Sequence, residues 1–416
     1  MTHRVAITGL GVCTGVGCGV KEFWAGLTSG SSGVRAVTVF DASALPVRIG
    51  GQVKELHREA LVSKFPEASG DRDRKIWLGL DAASQALRDA EVECLADAVL
   101  IVGVSLETFF LEDVSSLAMA ADVPQALEGI INAAKAPRLQ TPLDRLTTIL
   151  GGSYGFKGGR YTNCSACAAG TQAIGEAFRR IRDGTVDLAL AGASDSVLNP
   201  LAMGGFSLLQ ILSTENDTPE KACRPFDATR HGTVLGEGAA FLTLENLESA
   251  KARGARVYAE LLGYGTTLDA YRVTDPEPHG KGAVTSMTRA MVDAGLEPEG
   301  VDCVNAHGTG TPKNDIAETR ALKQALGARA LQIPITANKS MTGHLIAASG
   351  AVEAAASALT LFTRTVPPTI NLSTRDPECD LDYVPEGSRP FNGRTVLSNS
   401  FGFGGQNATL ILGKHE

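Results

Sequence analysis

Nine short runs of β-branched and apolar residues alternate with helical patterns along this chain: RVAIT, AVLIVG, DLALAGAS, AAFLTLE, YAELLGYG, DCVNAHG, PITANKS, TVLSNSFG and ATLILG. Strands separated by helices cannot close as simple hairpins, so the alternation imposes an α/β architecture in which helices cover the faces of a sheet. Helices are predicted over residues 75–90, 168–184, 283–295, 315–327 and 348–362, with Gly184, Gly295 and Gly327 as caps for three of them. The charged stretch ENLESAKARGAR (245–256) is predicted to join two halves, 1–249 and 250–416. An echo links these halves. CAAGTQAIGEAF, starting at Cys167, and IAASGAVEAAASAL, just after His344, each set a small-residue, glycine-containing start before an alanine-rich helix.

At 416 residues, 44% hydrophobic and 20% charged, the chain has apolar side chains enough for a large core. Its apolar stretches are broken well short of the ~18 residues of a membrane span, so none is expected. The start MTHRVAITGLGV lacks the basic segment and longer apolar core of a secretory peptide. A net charge of −8 argues against a general nucleic-acid binder. Eight cysteines are too few for a disulfide scaffold, and a reducing, cytoplasmic setting with mostly free thiols is expected. Cys13, Cys18, Cys94, Cys223, Cys303 and Cys379 read as small structural side chains.

Two patterns invite other chemistries. GLGVCTGVG (9–17) follows a strand as a dinucleotide-binding turn does, but the acidic residue such a site needs after a second strand is missing, Asp41 lying too far along. It reads as a tight glycine turn. In NCSAC the two thiols lack the further ligands of a zinc site and the bulkier residues usual between redox thiols, so no metal is expected. Cys167 stands instead where the strand RYTN gives way to a helix rich in alanine and glycine. A thiol at a helix N-terminus is acidified by the macrodipole and faces backbone N–H groups able to hold an oxyanion. Cys164, back on the strand, reads as a bystander.

A cysteine nucleophile needs partners that manage protons or charge. VNAHGTGTP and NKSMTGHLIAASG place His307 and His344 after β-branched strands, beside glycine and threonine, with Lys339 five residues before His344. His3, His57, His231, His279 and His415 lack such settings and read as surface or structural groups.

CSACAAG, NAHGTGTPKNDIAE, NKSMTGH and NSFGFGG, in this order and spacing, resemble the β-ketoacyl-acyl carrier protein synthases of the thiolase fold. The likeness is greatest to the decarboxylating ketoacyl synthase I/II group and to type II polyketide ketosynthases, and it runs from RVAITGLG to NATLIL. It implies a five-layered α/β/α/β/α architecture of duplicated halves, the first supplying the nucleophile and the second the histidines. It also implies a homodimer, or a heterodimer with a related subunit. By this resemblance Cys167 takes an acyl group from acyl carrier protein, and His307 and His344 hydrogen-bond the thioester carbonyl of malonyl-acyl carrier protein as carbon dioxide leaves. The backbone N–H groups of Cys167 and Phe403 are implied as the oxyanion hole. Lys339 tunes the charge states of the site, with Glu318 as its acidic counterpart. Thr309 and Thr311 bind the phosphopantetheine arm, and Gly402, Phe403, Gly404 and Gly405 form a gating loop over the acyl pocket. No cofactor beyond that arm is implied.

Residues 103–160 depart furthest from the relatives, in the region that shapes the acyl pocket and subunit pairing, and Asn163, Cys164, His231, Thr233 and Gln406 differ singly. No catalytic group is lost, so the departures point to a specialised acyl chain: a polyketide, a polyene or an unusual fatty acid. A non-catalytic chain-length partner subunit would usually have lost the cysteine. A thiolase would carry a second cysteine where GFGGQNA has none.

Overall fold

The computed structural model describes residues 2–92, 94–110, 122, 124–125 and 140–416, so much of the divergent stretch 103–160 lies outside the described residues. In the first half β1 (Val5–Thr14), β2 (Val99–Gly103), β3 (Arg160–Asn163), β4 (Leu188–Ser196) and β5 (Glu237–Asn246) stand in the order β3-β2-β4-β5-β1. There β2 is parallel to both β3 and β4, and the other pairs are antiparallel. In the second half β6 (Ala259–Leu268), β7 (Val304–Asn305), β8 (Ile335–Thr336), β9 (Thr395–Gly402) and β10 (Gln406–Gly413) stand in the order β8-β7-β9-β10-β6 with the same directions. Matched strand by strand, the two halves are one pattern used twice. They join where Val5–Ile7 of β1 pairs with Ala259–Leu261 of β6.

Five helices complete the layers: α1 (Arg74–Asp89), α2 (Ala169–Arg182), α3 (Lys281–Asp293), α4 (Pro312–Leu326) and α5 (Ser349–Thr363). Helices α2 and α5 touch each other and strands of both halves, and so form the central layer. Helix α1 covers one outer face, and α3 with α4 the other. Three apolar clusters fill the gaps between layers. Residues Ile346–Thr363 are apolar and long enough to cross a membrane, but 89% of that stretch is buried, as an apolar helix packed on every side must be. Gly184, Gly295 and Gly327 follow α2, α3 and α4 with φ of +74°, +65° and +55°, the left-handed turn-off expected of cap glycines.

Gly9 and Gly11 are not in a turn. They lie inside β1, where a Cβ would stand 2.2 Å from Ala86 O and 1.9 Å from Ala82 O of α1. Gly263 and Gly265 of β6 face Ala290 O and Ser286 O of α3 in the same way, at 2.3 and 2.1 Å. Glycine here lets a helix backbone rest directly on a strand. Gly11→Ala is therefore expected to destabilise the fold by about 1–3 kcal/mol or more in urea unfolding, since the obstructing atom is a backbone carbonyl that has nowhere to move. Gly152→Ala, in open space on the helix Arg145–Ser153, should be neutral or stabilising by up to about 1 kcal/mol.

The turn proper is confined to the end of β1, where Thr14 N–H donates to Gly17 O (2.9 Å) and Cys13 bridges to Cys18. These two cysteines are joined in a disulfide, contrary to the free-thiol expectation, because the tight turn brings them face to face. The other six cysteines are free.

A single-turn 3-10 helix precedes each central helix, Ala166–Ala168 before α2 and Ile346–Ala348 before α5. The first residue of each, Ala166 and Ile346, has φ +47°, a strained choice for a side chain with a Cβ. The same strain at the same place makes Cys167 and Ala347 counterparts, and likewise Cys164 and His344.

Candidate active site

The left-handed turn at Ala166 sets Cys167 at the N-terminal end of α2, 5% exposed, with Sγ 3.2 Å from His344 Nε2. The backbone N–H groups of Cys167 and Phe403 both favour the charged form of its sulfur. The acidic thiol expected from the helix position is not what results. Burial pushes Cys167 up to about 11, outweighing the Phe403 N–H, the Lys339 ammonium and its own N–H. Cys164, by contrast, is exposed and donates from Sγ to Ser105 O at 3.0 Å.

His344 follows the turn at Gly343 and is held by its backbone N–H to Val234 O at 2.7 Å. Its Nδ1 lies 2.9 Å from Ser349 Oγ. His307, just past β7, meets the His344 ring edge-on at 5.4 Å and Phe401 at 5.8 Å. Behind it sits Lys339, 1% exposed, whose Nζ donates to His307 O (2.6 Å) and Glu353 Oε1 (2.5 Å) and lies 3.2 Å from His307 Nδ1. An ammonium has three protons and no lone pair, so the contact with Nδ1 requires that nitrogen to accept. The His307 proton is then on Nε2.

Burial holds both imidazoles well below the ordinary histidine range, reinforced by Lys339 and, for His307, by His344. Each is neutral where a free histidine would be half protonated. As pH falls from 7.5 to 6, any rate that depends on neutral His307 and His344 should stay level through 6.5; a measured decline centred there would count against this environment.

Glu318 is not the hydrogen-bonded acid of Lys339. Its Oε1 and Oε2 accept the backbone N–H groups of His307 and Gly308, each at 2.8 Å, so it shapes the loop that carries His307. Burial pushes its carboxyl up to about 7 against those two donors. The carboxylate on Lys339 is Glu353 of α5, 2% exposed, which burial likewise raises against the pull of Lys339. The sequence does carry a signal for it: a lone acid in the apolar helix GAVEAAASAL must be buried, and a buried charge needs a partner. Asp195 at the end of β4 also went unread; its Oδ2 accepts the backbone N–H of Ala347 at 3.0 Å.

Cys167, His307, His344, Thr309, Thr311 and Phe403 line one cavity of about 440 Å³. The hydroxyls of Thr309 and Thr311 are 2.9 Å apart. Phe403 stacks on Phe206 at 6.4 Å, and Gly404 and Gly405 take φ of +76° and +77°, which suits a loop able to swing its aromatic ring. Gly402 packs against the Cys167 backbone N, where a Cβ would come within 3.0 Å. His231 and Thr233 also line this cavity, although His231 reads as structural in the sequence. The structure thus gathers Cys167, both histidines, the threonine pair and Phe403 around one space, with Lys339 and Glu318 just behind.

This arrangement agrees with comparisons to known proteins. Residues 2–250 match the description "Beta-ketoacyl synthase, N-terminal domain" and residues 258–373 match "Beta-ketoacyl synthase, C-terminal domain". The chain is 40% identical over 426 residues to a 3-oxoacyl-[acyl-carrier-protein] synthase 2 of Synechocystis, covering 99% of this chain and 98% of that one. It superimposes with a TM-score of 0.89 on the ishigamide ketosynthase/chain length factor, at 34% identity with both chains covered fully. A type II polyketide ketosynthase solved with its acyl-carrier protein and bound to the hexaketide gives a TM-score of 0.84, again at 34% identity and full coverage of both. With both family domains matched along most of its length, a thiolase-like duplicated fold and a cysteine set against two buried histidines, the chain belongs to the β-ketoacyl synthase family.

Proposed function

We propose that this chain catalyses the decarboxylative Claisen condensation of an acyl group held on Cys167 with malonyl-acyl carrier protein, giving β-ketoacyl-acyl carrier protein and carbon dioxide. The observation that carries this reading is the contact of Cys167 Sγ with His344 Nε2 at 3.2 Å inside a cavity that His307 also lines. In the first step the Cys167 sulfur attacks the acyl thioester and the proton goes to the departing pantetheine thiol. The N–H groups of Cys167 and Phe403 hold the oxyanion. In the second step the bond from the malonyl methylene to its carboxylate breaks, carbon dioxide leaves and the electron pair becomes an enolate. His307 and His344 stabilise that charge as it develops, which is where binding accelerates a reaction. The enolate carbon then attacks the acyl-cysteine carbonyl, the new carbon–carbon bond forms, and the carbon–sulfur bond breaks with its electron pair on the Cys167 sulfur, which regains a proton from solvent.

No electron is gained or lost overall, so the reading calls for no redox cofactor; His307 and His344 take the enolate charge, and the phosphopantetheine arm is held by Thr309 and Thr311. Lys339 sets the protonation of His307, Glu318 its backbone, and the loop from Gly402 to Gly405 gates the acyl pocket with Phe403. The relative solved with its acyl-carrier protein supports that partner. The ketosynthase/chain length factor pair supports a heterodimer beside a homodimer. A cytoplasmic enzyme of polyketide, polyene or specialised fatty acid synthesis fits these partners.

The test is intact-protein mass after incubation with a panel of acyl-carrier proteins bearing different acyl chains, followed by peptide mapping. One acyl increment on the peptide carrying Cys167, discharged by malonyl-acyl carrier protein, is the expected result. An adduct on Cys164, or none with any chain, would overturn the assignment.

A further inference from the structure

We infer that Ser349 is a positioning residue that fixes the proton of His344 on Nε2, so that this histidine meets the malonyl carbonyl as a ready donor. Ser349 is the first residue of α5 and is 1% exposed. Its Oγ accepts the backbone N–H of Leu345 at 2.9 Å and lies 2.9 Å from His344 Nδ1. Among the described residues the hydroxyl has no further hydrogen-bond partner. Two arrangements are open to it. If Nδ1 carried the proton, Oγ would accept from both Leu345 and His344, and its own hydrogen would be buried with nothing to bond. If Nδ1 is bare, the hydroxyl donates to it and the imidazole hydrogen sits on Nε2, leaving unmade only the S–H of Cys167, a far weaker donor than a hydroxyl. A buried donor left unmade is the costly alternative, so the second arrangement prevails.

The consequence reaches the reacting atoms. Nε2–H faces Cys167 Sγ at 3.2 Å. His344 is then not poised to remove the thiol proton. Once the cysteine is acylated, the same N–H is free for the incoming thioester oxygen. His307 reaches an equivalent state by another device, the Lys339 ammonium on its Nδ1. The two histidines are thus set as donors by a cation in one case and by a neutral hydroxyl in the other.

This rests on the condensing-enzyme reading, and a direct measurement separates the two. Selective ¹⁵N-histidine labelling of the wild-type enzyme, with the His344 signals assigned by a His344→Asn variant, should show a bare Nδ1 and a protonated Nε2 at pH 7.5. A protonated Nδ1 overturns the inference whatever the enzyme's activity. In Ser349→Ala the His344 signals should move toward a mixture of the two tautomers. Carbon dioxide release from malonyl-acyl carrier protein, measured in a Cys167→Gln background, should fall about tenfold, one donor being partly lost. Ser349→Thr keeps the hydroxyl and should restore both the spectrum and the rate. Unchanged tautomer and rate in Ser349→Ala would also overturn it. If that variant fails to fold, the wild-type spectrum alone decides.

Discussion

Cys167→Ala is expected to lose condensation by on the order of 10⁴-fold or more, the scale on which removing a nucleophile acts. Cys167→Gln should lose it equally while retaining or raising the release of carbon dioxide from malonyl-acyl carrier protein. The reason lies in how the site is divided. In the proposed reaction only the sulfur holds the acyl group, and the donors assigned to decarboxylation, His307 and His344, do not depend on it for their orientation. His307 is held by Lys339 and Glu318, and His344 by Val234 and Ser349. A glutamine at position 167 places a carbonyl and an amide where an acyl thioester would stand, and so imitates the loaded state. Paired assays of product formation and labelled carbon dioxide separate the two activities. Equal condensation by wild type and Cys167→Ala would remove the nucleophile from the mechanism, and Cys164 would be the next thiol to test.

Lys339→Ala should cost both activity and stability. Its removal leaves Glu353 as a buried carboxylate without its cation, and breaking such a pair from one side costs roughly 3–5 kcal/mol. It also frees His307 Nδ1, so the imidazole no longer has one enforced donor face, and decarboxylation should fall on the order of 10²-fold. The double variant Lys339→Met, Glu353→Gln removes both charges and should recover much of the stability in chemical denaturation without recovering the rate. Retention of wild-type decarboxylation by Lys339→Ala would sink the role given to the lysine. A further check follows from the buried acids. Glu353 and Glu318 titrate near 7 in the fold, above the range of an exposed glutamate, because burial disfavours their charged forms. Their contribution to stability is therefore present below the unfolded value and lost as pH rises through about 7. The two depressed histidines act in the opposite sense, taking stability away as pH falls below 6.5.

What the amino-acid pattern reveals depends on whether the cause is local. The β-branched runs and the cap glycines announce strands and helix ends because both act within a few residues. Cys167 is legible for the same reason, as a thiol at a strand-to-helix junction. The acidity of that thiol is not, since it turns on burial in an apolar cluster that includes Ile346, far along the chain. Gly9 and Gly11 look like a turn because glycine before a helix usually is one; their true partner is the backbone of α1, some seventy residues on. Glu318 is placed correctly near His307 yet paired wrongly with Lys339, because spacing in the chain does not say which of two acids a buried lysine will meet. Glu353 and Ser349 lie in the stretch read as an alanine-rich echo of the first half, and their functions exist only once α5 is packed against β7 and the His344 turn.

The twin turns at Ala166 and Ile346 carry a final consequence. Each sets one backbone amide at the start of a central helix, and in each half that amide meets a different fate. At Cys167 it lies beside the sulfur, where the proposed reaction places an oxygen anion; at Ala347 it is taken by the Asp195 carboxylate. The duplicated protein has two identical ports, one left unlocked and one plugged. The plugged copy keeps its shape and gives up its own chemistry. In exchange it supplies, from the residue that answers to Cys164, the imidazole that the open copy lacks.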